Sequence, residues 1–126
     1  PNAYSSRAAS AMMCVANSSP DKFFDYNAML FANQPDEGTM GHSDNALAVL
    51  AQKAGVSDSA TLDCIKSARY QSYAINYTQD TVFQRNIPGT NIKVQGTPTI
   101  VMNGEAFVGD WTNPAIIAQW VLSHTK

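Results

Sequence analysis

The side chains best able to do chemistry in this sequence are two cysteines and two histidines. Cys14 and Cys64 stand fifty positions apart, so they do not form the C-x-x-C pair of redox-active sites. His42 and His124 are isolated from each other and from both cysteines, and no zinc-ligand spacing results. We therefore expect neither a metal site nor a cofactor.

The segment VQGTPTIVMNG, Val94–Gly104, holds a further unusual feature. Pro98 lies inside what otherwise has the pattern of a β-strand, with Thr97 before it and Thr99 after it. Strands usually exclude proline because it has no N–H to donate to the ladder. The local residues alone allow a trans proline at the first residue of a strand, or the rarer cis form in a tight turn.

Composition bounds the class of protein. A length of 126 residues is that of one domain or part of one, and 44% hydrophobic with 14% charged residues is typical of a globular chain. The net charge of −2 favours neither nucleic acid nor an anionic membrane surface, so we expect no nucleic-acid partner. No run of about 18 apolar residues is present, so no segment is predicted to span a bilayer.

Apolar residues recur at helical spacing through most of residues 1–88. The first helix is predicted to begin at a cap formed by Ser5 or Ser6, and the second at Ser19 with Pro20 in its first turn. The second helix carries a dense apolar cluster, which we interpret as core rather than as the lining of a peptide groove: Phe23, Phe24, Tyr26, Leu30 and Phe31.

Two more helical stretches follow. The stretch SDNALAVLAQKAG predicts a short helix that Ser43 or Asp44 caps and Gly55 ends. The stretch SDSATLDCIKSARYQSYAINYTQDTVFQRN is also helical in pattern, but it is too long for one typical globular helix. A break is therefore predicted near Ser67–Arg69.

After Pro88–Gly89 the apolar period changes from helical to extended. Asn103–Gly104 stands between the β-type runs PTIVM and EAFVG, which predicts a hairpin with a type I′ turn. A final helix is predicted with Thr112 or Asn113 as its cap and Pro114 at its start. The fold class expected from this order is α/β, mostly helical as given.

One hairpin is at best marginally stable in water and needs more strands or a covering layer. The run TIVM is apolar on both faces, as in a strand at the centre of a sheet. Its neighbouring strands are not encoded in this sequence. We infer that strands come from the N-terminal side of a longer protein or from another chain.

The run GTPTIVMNGEAFVG, followed by TNPAIIAQWVLS, resembles the end of a thioredoxin fold. The preceding stretches CVANSSPDKFFDYNAMLFANQ and DSATLDC resemble the helical insert of DsbA-like thiol–disulfide oxidoreductases. The resemblance implies a helical insert over residues 1–88 and the strand–strand–helix end of the thioredoxin-like domain over 89–126. It also implies that the β-α-β unit with the C-x-x-C is missing, with Pro1–Ala3 as the exit from its last strand.

In that family the matching proline is cis and lies beside the reactive cysteines. The resemblance thus implies that Thr97 and Pro98 bind substrate, with the main chain of Thr97 pairing with an extended, unfolded polypeptide. It implies no catalytic residue in this chain, which alone is expected to be inactive. The alternatives are a non-catalytic thioredoxin-like peptide-binding module, or a freestanding helical domain whose strand–strand–helix end is not thioredoxin-like.

Some members of the family carry a second, structural disulfide between two insert helices, and Cys14 and Cys64 lie at matching places. The alternative is two buried free thiols that act as small apolar side chains. The resemblance further implies an extracytoplasmic location, in the bacterial cell envelope or secreted, with a membrane anchor in the missing N-terminal part. A redox partner protein and a dimer formed through the unpaired sheet edge are the remaining expectations.

Overall fold

The computed structural model describes residues 4–125, and the expected strand exit at Pro1–Ala3 lies outside them. The helices are α1 (Tyr4–Ser18), α2 (Phe23–Ala32), α3 (Asp44–Lys53), α4 (Ser59–Lys66), α5 (Gln71–Tyr77) and α6 (Pro114–His124). The strands are β1 (Val101–Met102) and β2 (Glu105–Ala106), which form one antiparallel pair. This mostly helical chain with a small two-stranded sheet confirms the predicted fold class. The chain divides into two compact units, the first ending at Asn76 and the second beginning at Tyr77.

The core of the first unit is formed by one cluster of buried side chains from α1 to α4 and the turn after α3. Its members are Ala11, Cys14, Val15, Tyr26, Leu30, Leu47, Ala48, Leu50, Ala51, Val56, Leu62 and Ile65. The Tyr26 hydroxyl is buried with them and donates to the carbonyl of Leu47 at 3.0 Å, which satisfies it away from water. Burial is also the main reason that the pKa of Tyr26 is raised.

Side-chain caps explain why α3 and α4 begin where they do. The Ser43 hydroxyl accepts from the Ala46 N–H at 3.2 Å, and the Asp58 carboxylate accepts from the Thr61 N–H at 2.8 Å. The Thr61 hydroxyl donates to the same carboxylate, and these hydrogen bonds lower the pKa of Asp58. Ser43 was one of the two predicted caps of α3, and the structure confirms it.

The long helical stretch is broken where the sequence predicted. Helix α4 ends at Lys66 and α5 begins at Gln71. Between them Ala68 has a φ of 48°, in the left-handed region that a continuous α-helix does not use. The predicted break near Ser67–Arg69 is therefore confirmed.

Of two predicted caps in the first unit, one is wrong and one is right in position only. Ser5 and Ser6 lie inside α1, because Tyr4 is already helical. Ser19 is the N-cap of a short 3₁₀ turn, Pro20–Lys22, that leads into α2, but its side chain makes no cap hydrogen bond. The buried Ser19 hydroxyl instead forms a hydrogen bond of 3.1 Å with the Thr61 hydroxyl, which joins two elements far apart in sequence.

The apolar cluster of α2 is only partly core. Tyr26 and Leu30 are buried, whereas Phe24 is 82% exposed and Phe31 is 69% exposed. Apolar residues surround this helix, so packing one face leaves the opposite face in solvent. The interpretation of Phe24 and Phe31 as core residues is therefore wrong.

In the second unit none of the residues from Tyr77 to Thr125 is buried. Asn103 and Gly104 have φ values of 51° and 84°, as a type I′ turn requires, and the predicted hairpin is confirmed. Helix α6 begins at Pro114, and the Asn113 side chain accepts from the Ala115 N–H at 3.0 Å. The Phe107 ring, next to β2, meets the Trp120 ring of α6 edge to face, with ring centroids 5.4 Å apart.

A loop between α2 and α3 is held against α1. The Arg7 guanidinium donates to the carbonyls of Met40 at 3.0 Å and His42 at 2.7 Å, and it pairs with Asp44 at 3.2 Å. Gly41 lies between these anchored carbonyls with a φ of 61°. A Cβ on Gly41 would stand 2.4 Å from Cγ of Tyr4, so the close approach of loop and helix requires glycine.

Replacing Gly41 by alanine is expected to lower the free energy of unfolding by about 2 kcal/mol, through left-handed strain together with overpacking against Tyr4. Gly38→Ala is the matched control, because Gly38 also has positive φ but no atom lies within 4 Å of its added Cβ. That variant is expected to lose about 1 kcal/mol from backbone strain alone. Urea unfolding followed by circular dichroism measures both, and equal losses would contradict the role of Tyr4.

Candidate functional site

The loop before β1 exposes both residues that the resemblance assigned to substrate binding. Thr97 and Pro98 are exposed, and the peptide bond between them is cis. The Thr99 hydroxyl donates to the carbonyl of Gly96, which closes the loop around the proline. Thr97 and Pro98 thus stand together on the surface at the entrance to the hairpin.

The hairpin leaves one edge of β1 open. Val101 pairs with Ala106, and the next hydrogen bond of the ladder runs from the Phe107 N–H to the Ile100 carbonyl at 2.9 Å. Successive residues of an antiparallel strand point their N–H and C=O groups to opposite sides. The main-chain groups of Val101 are therefore directed away from β2.

Neither Val101 nor Thr97 has a main-chain hydrogen bond on this open side to any residue between 4 and 125. Natural edge strands are commonly protected from pairing by charged side chains. The segment Val94–Gly104 has no charged side chain, and Pro98 is its one residue that lacks an N–H. The arrangement can accept an extended polypeptide by strand addition.

The two cysteines are joined to each other in the first unit. The Sγ atoms of Cys14 and Cys64 are bonded at 2.07 Å, which links α1 to α4. Cys14 is completely buried and Cys64 is half-buried. Because both cysteines of the chain are in this bond, the oxidised chain holds no thiolate that could attack a substrate disulfide.

The sequence analysis set aside a groove lining for the apolar cluster of α2, but the structure has an apolar groove of about 270 Å³ between α1 and α2. Its walls include Ala8, Met12, Leu30 and Phe31, and no charged side chain lines it. The signal that could have found it is the apolar character of α2 on all its faces, which packing against one neighbour cannot satisfy.

Sequence reasoning also treated His124 as isolated. In the structure its ring lies 3.1 Å from the carboxylate of Glu105 and stacks on Trp120, with ring centroids 4.4 Å apart. Trp120 in turn contacts Phe107 edge to face at 5.4 Å. The cluster forms because the hairpin brings the chain back against α6. The spacing of these residues along the sequence therefore does not predict it.

Among residues 4–125, no group of three or more acidic, histidine or cysteine side chains is placed to hold a metal ion. No helix in the same part of the chain is both long enough and apolar enough to cross a membrane. These two observations concern the described residues alone.

Residues 1–118 match the family model described as thioredoxin. A solved structure, the reduced form of the disulfide bond oxidoreductase DsbG from Mycobacterium tuberculosis, is similar at 33% sequence identity with a TM-score of 0.65. The match covers 96% of this chain and 53% of that one, so this chain spans about half the length of the similar structure. No curated protein matches the sequence.

Proposed function

Because this chain belongs to the thioredoxin family, in its Dsb-like group of thiol–disulfide oxidoreductases, we propose that it is the C-terminal part of an exported enzyme of that kind. In this proposal the C-x-x-C lies outside the chain, and the loop of Thr97 and Pro98 shapes the substrate site. The observation that carries the proposal is the open, uncharged main-chain edge beside that loop.

The proposed role of the Thr97 main chain, in the loop at the end of this edge, is to hold an unfolded polypeptide in extended form. The free N–H and C=O of Thr97 would pair with the substrate main chain, which gives affinity without demanding a particular side-chain sequence. A substrate cysteine held there would be presented to the C-x-x-C for thiol–disulfide exchange through a mixed disulfide. Thr97 and Pro98 are binding residues in this scheme, and the chain contributes no nucleophile.

The exposure of the second unit supports the proposal that this chain is part of a larger protein. The strand β1 is apolar on both faces, as strands at the centre of a sheet are, yet none of the residues 77–125 is buried. Further strands would complete such a sheet and cover it. We propose that an upstream β-α-β unit pairs with this edge at Val101, in β1, and leaves the main chain of Thr97, in the preceding loop, for the substrate. In its absence a second copy of the chain would be the competing partner for the same edge.

The disulfide supports the proposed location. Bonds of this kind persist in oxidising compartments and are rare where glutathione and thioredoxin keep thiols reduced. Cys14–Cys64 is accordingly proposed to form outside the cytoplasm, in a protein of the cell envelope or a secreted one, with a membrane anchor upstream of this chain. A redox partner protein would restore the oxidation state of the C-x-x-C.

A second candidate, a peptide-binding module without catalysis, is favoured by the absence of any free thiol in the oxidised chain. The two candidates differ in what the upstream coding sequence contains.

The test is to express the chain with its upstream sequence and to measure dithiol oxidation and insulin reduction. We expect the upstream sequence to contain a C-x-x-C and the longer protein to be active. If the longer protein has neither, the enzyme proposal is contradicted and the peptide-binding module is the remaining candidate.

Peptide binding is tested on the same proteins with a reduced, unfolded polypeptide as the probe. Thr97→Pro removes the N–H of Thr97 and is expected to weaken binding by roughly threefold to tenfold, the effect of one hydrogen bond of about 0.5–1.5 kcal/mol. Thr97→Val is the control, because it keeps the main chain and removes only the hydroxyl. Loss of binding in Thr97→Val but not in Thr97→Pro would contradict pairing through the main chain.

A further inference from the structure

His124 stands at the C-terminal end of α6, and each of its ring nitrogens lies within hydrogen-bond distance of an oxygen atom that accepts. Its Nδ1 lies 2.7 Å from the carbonyl oxygen of Trp120, and its Nε2 lies 3.1 Å from a carboxylate oxygen of Glu105. The Asn103 side chain donates to the carbonyl of His124 itself. The end of α6 is thus tied to the hairpin turn and to β2.

Counting protons shows which form of the ring fits. A neutral imidazole has one N–H, so it can donate to Trp120 or to Glu105 but not to both. The imidazolium has two N–H groups and satisfies both oxygens at once. The hydroxyl of Ser123 lies 2.9 Å from Nδ1 and can donate either to it or to the Trp120 carbonyl. A neutral ring protonated on Nε2 therefore keeps a hydrogen bond to Glu105 but loses the one to Trp120 and the positive charge.

The charged surroundings of His124 are simple. Helix α6 contains no Asp, Glu, Lys or Arg, and neither do β1 and the turn. Among residues 4–125, Glu105 on β2 is the charged group placed against the ring. The hydrogen bond to the Trp120 carbonyl, followed by that to Glu105, raises the pKa of His124 above its ordinary value of 6.5. The ring therefore loses its proton at a higher pH than an unperturbed imidazole does.

We propose that His124 is a proton-operated clasp, which in its charged form fastens the end of α6 to β2 and is weakened when the ring loses its proton, because the charge opposite Glu105 and one of the two ring hydrogen bonds are then lost. None of the residues 77–125 is buried, so α6 is held to the hairpin by contacts that solvent can reach: this polar tie, the Asn103 hydrogen bond and the Phe107–Trp120 ring contact. A raised folded-state pKa means that the stabilisation is fully present below pH 6.5 and is lost as the pH rises through the raised value. The inference does not depend on the proposed enzymatic function.

Trp120 supplies a direct readout, because an imidazolium quenches the emission of a neighbouring indole more strongly than a neutral imidazole does. The chain has two tryptophans, so Trp111→Phe leaves Trp120 as the single emitter. The emission of this variant is expected to rise with pH, with a midpoint above 6.5. Adding His124→Gln should abolish the step, whereas adding His42→Gln should leave it unchanged.

Glu105→Gln tests the partner of the ring, and it is expected to lower the midpoint toward the ordinary imidazole value. Glu37→Gln is the matched control, because it removes the same charge from an exposed loop and should not move the midpoint. Release of the helix end is followed by amide exchange at Thr125, whose N–H donates to the Val121 carbonyl at 3.1 Å. Its protection factor should fall across the midpoint in the unmodified chain.

The same amide should have low and pH-independent protection in His124→Gln, because that variant has no clasp to weaken. A midpoint at or below 6.5, or one that Glu105→Gln leaves in place, would overturn the proposal. So would a protection factor at Thr125 that stays constant while the emission of Trp120 changes, since the ring would then titrate without holding the helix.

Discussion

Removal of the Cys14–Cys64 bond is expected to lower the free energy of unfolding of the first unit by about 4 kcal/mol. The bond closes a loop with a sequence separation of 50, and the chain-entropy model assigns roughly this stabilisation to a loop of that length. That loop contains all of α2 and α3, so its closure restricts much of the unfolded chain. The measurement is urea unfolding of the oxidised chain and of the Cys14→Ala/Cys64→Ala double variant.

Reduction provides the control that separates the bond from the side chains. Dithiothreitol should destabilise the unmodified chain by nearly as much as the double substitution does, and it should leave the double variant unchanged. Any remaining difference in the free energy of unfolding between the reduced chain and the double variant measures the packing of the two sulfur atoms. The side chain of Cys14 is fully buried, so part of this difference is expected to come from it. If the oxidised and reduced chains unfold at the same urea concentration, the bond does not stabilise the fold.

Elements with strong local signals were predictable from the sequence. The Asn103–Gly104 turn needs two residues that tolerate positive φ, and few other dipeptides offer both. Helix α6 begins at Pro114 because proline fits the first turn, where an N–H has no helical acceptor. In each case the deciding interactions lie within a few residues of one another.

Burial of α2 was not predictable in the same way. Its apolar residues point in every direction, so the pattern does not say which face the neighbouring helices cover. Tyr26 is buried because its hydroxyl reaches the Leu47 carbonyl, 21 positions away, while Phe24 on the other side meets solvent. Tertiary packing decides which face of α2 is buried, and the periodicity of one helix carries no information about that packing.

At the candidate site too, some features follow from neighbouring residues and others depend on contacts between distant parts of the chain. Local residues left the isomer at Pro98 and the state of the cysteines open, and a family resemblance supplied the expectations for Thr97, Pro98, Cys14 and Cys64. His124 and Glu105 lie 19 positions apart and meet only because the hairpin turns the chain back along α6. A contact between residues so far apart in sequence cannot be predicted from a residue pattern until the path of the folded chain is known.

Leu47→Ala is expected to lower the free energy of unfolding by about 3 kcal/mol, because Leu47 is completely buried at the centre of the core and its loss leaves a cavity. Its carbonyl stays in place to accept from Tyr26, so the substitution removes packing without removing that hydrogen bond. Val49→Ala is the matched control on the same helix, since Val49 is 48% exposed and should cost about 0.5 kcal/mol. Urea unfolding measures both, and losses of equal size would mean that the core does not centre on the inward face of α3.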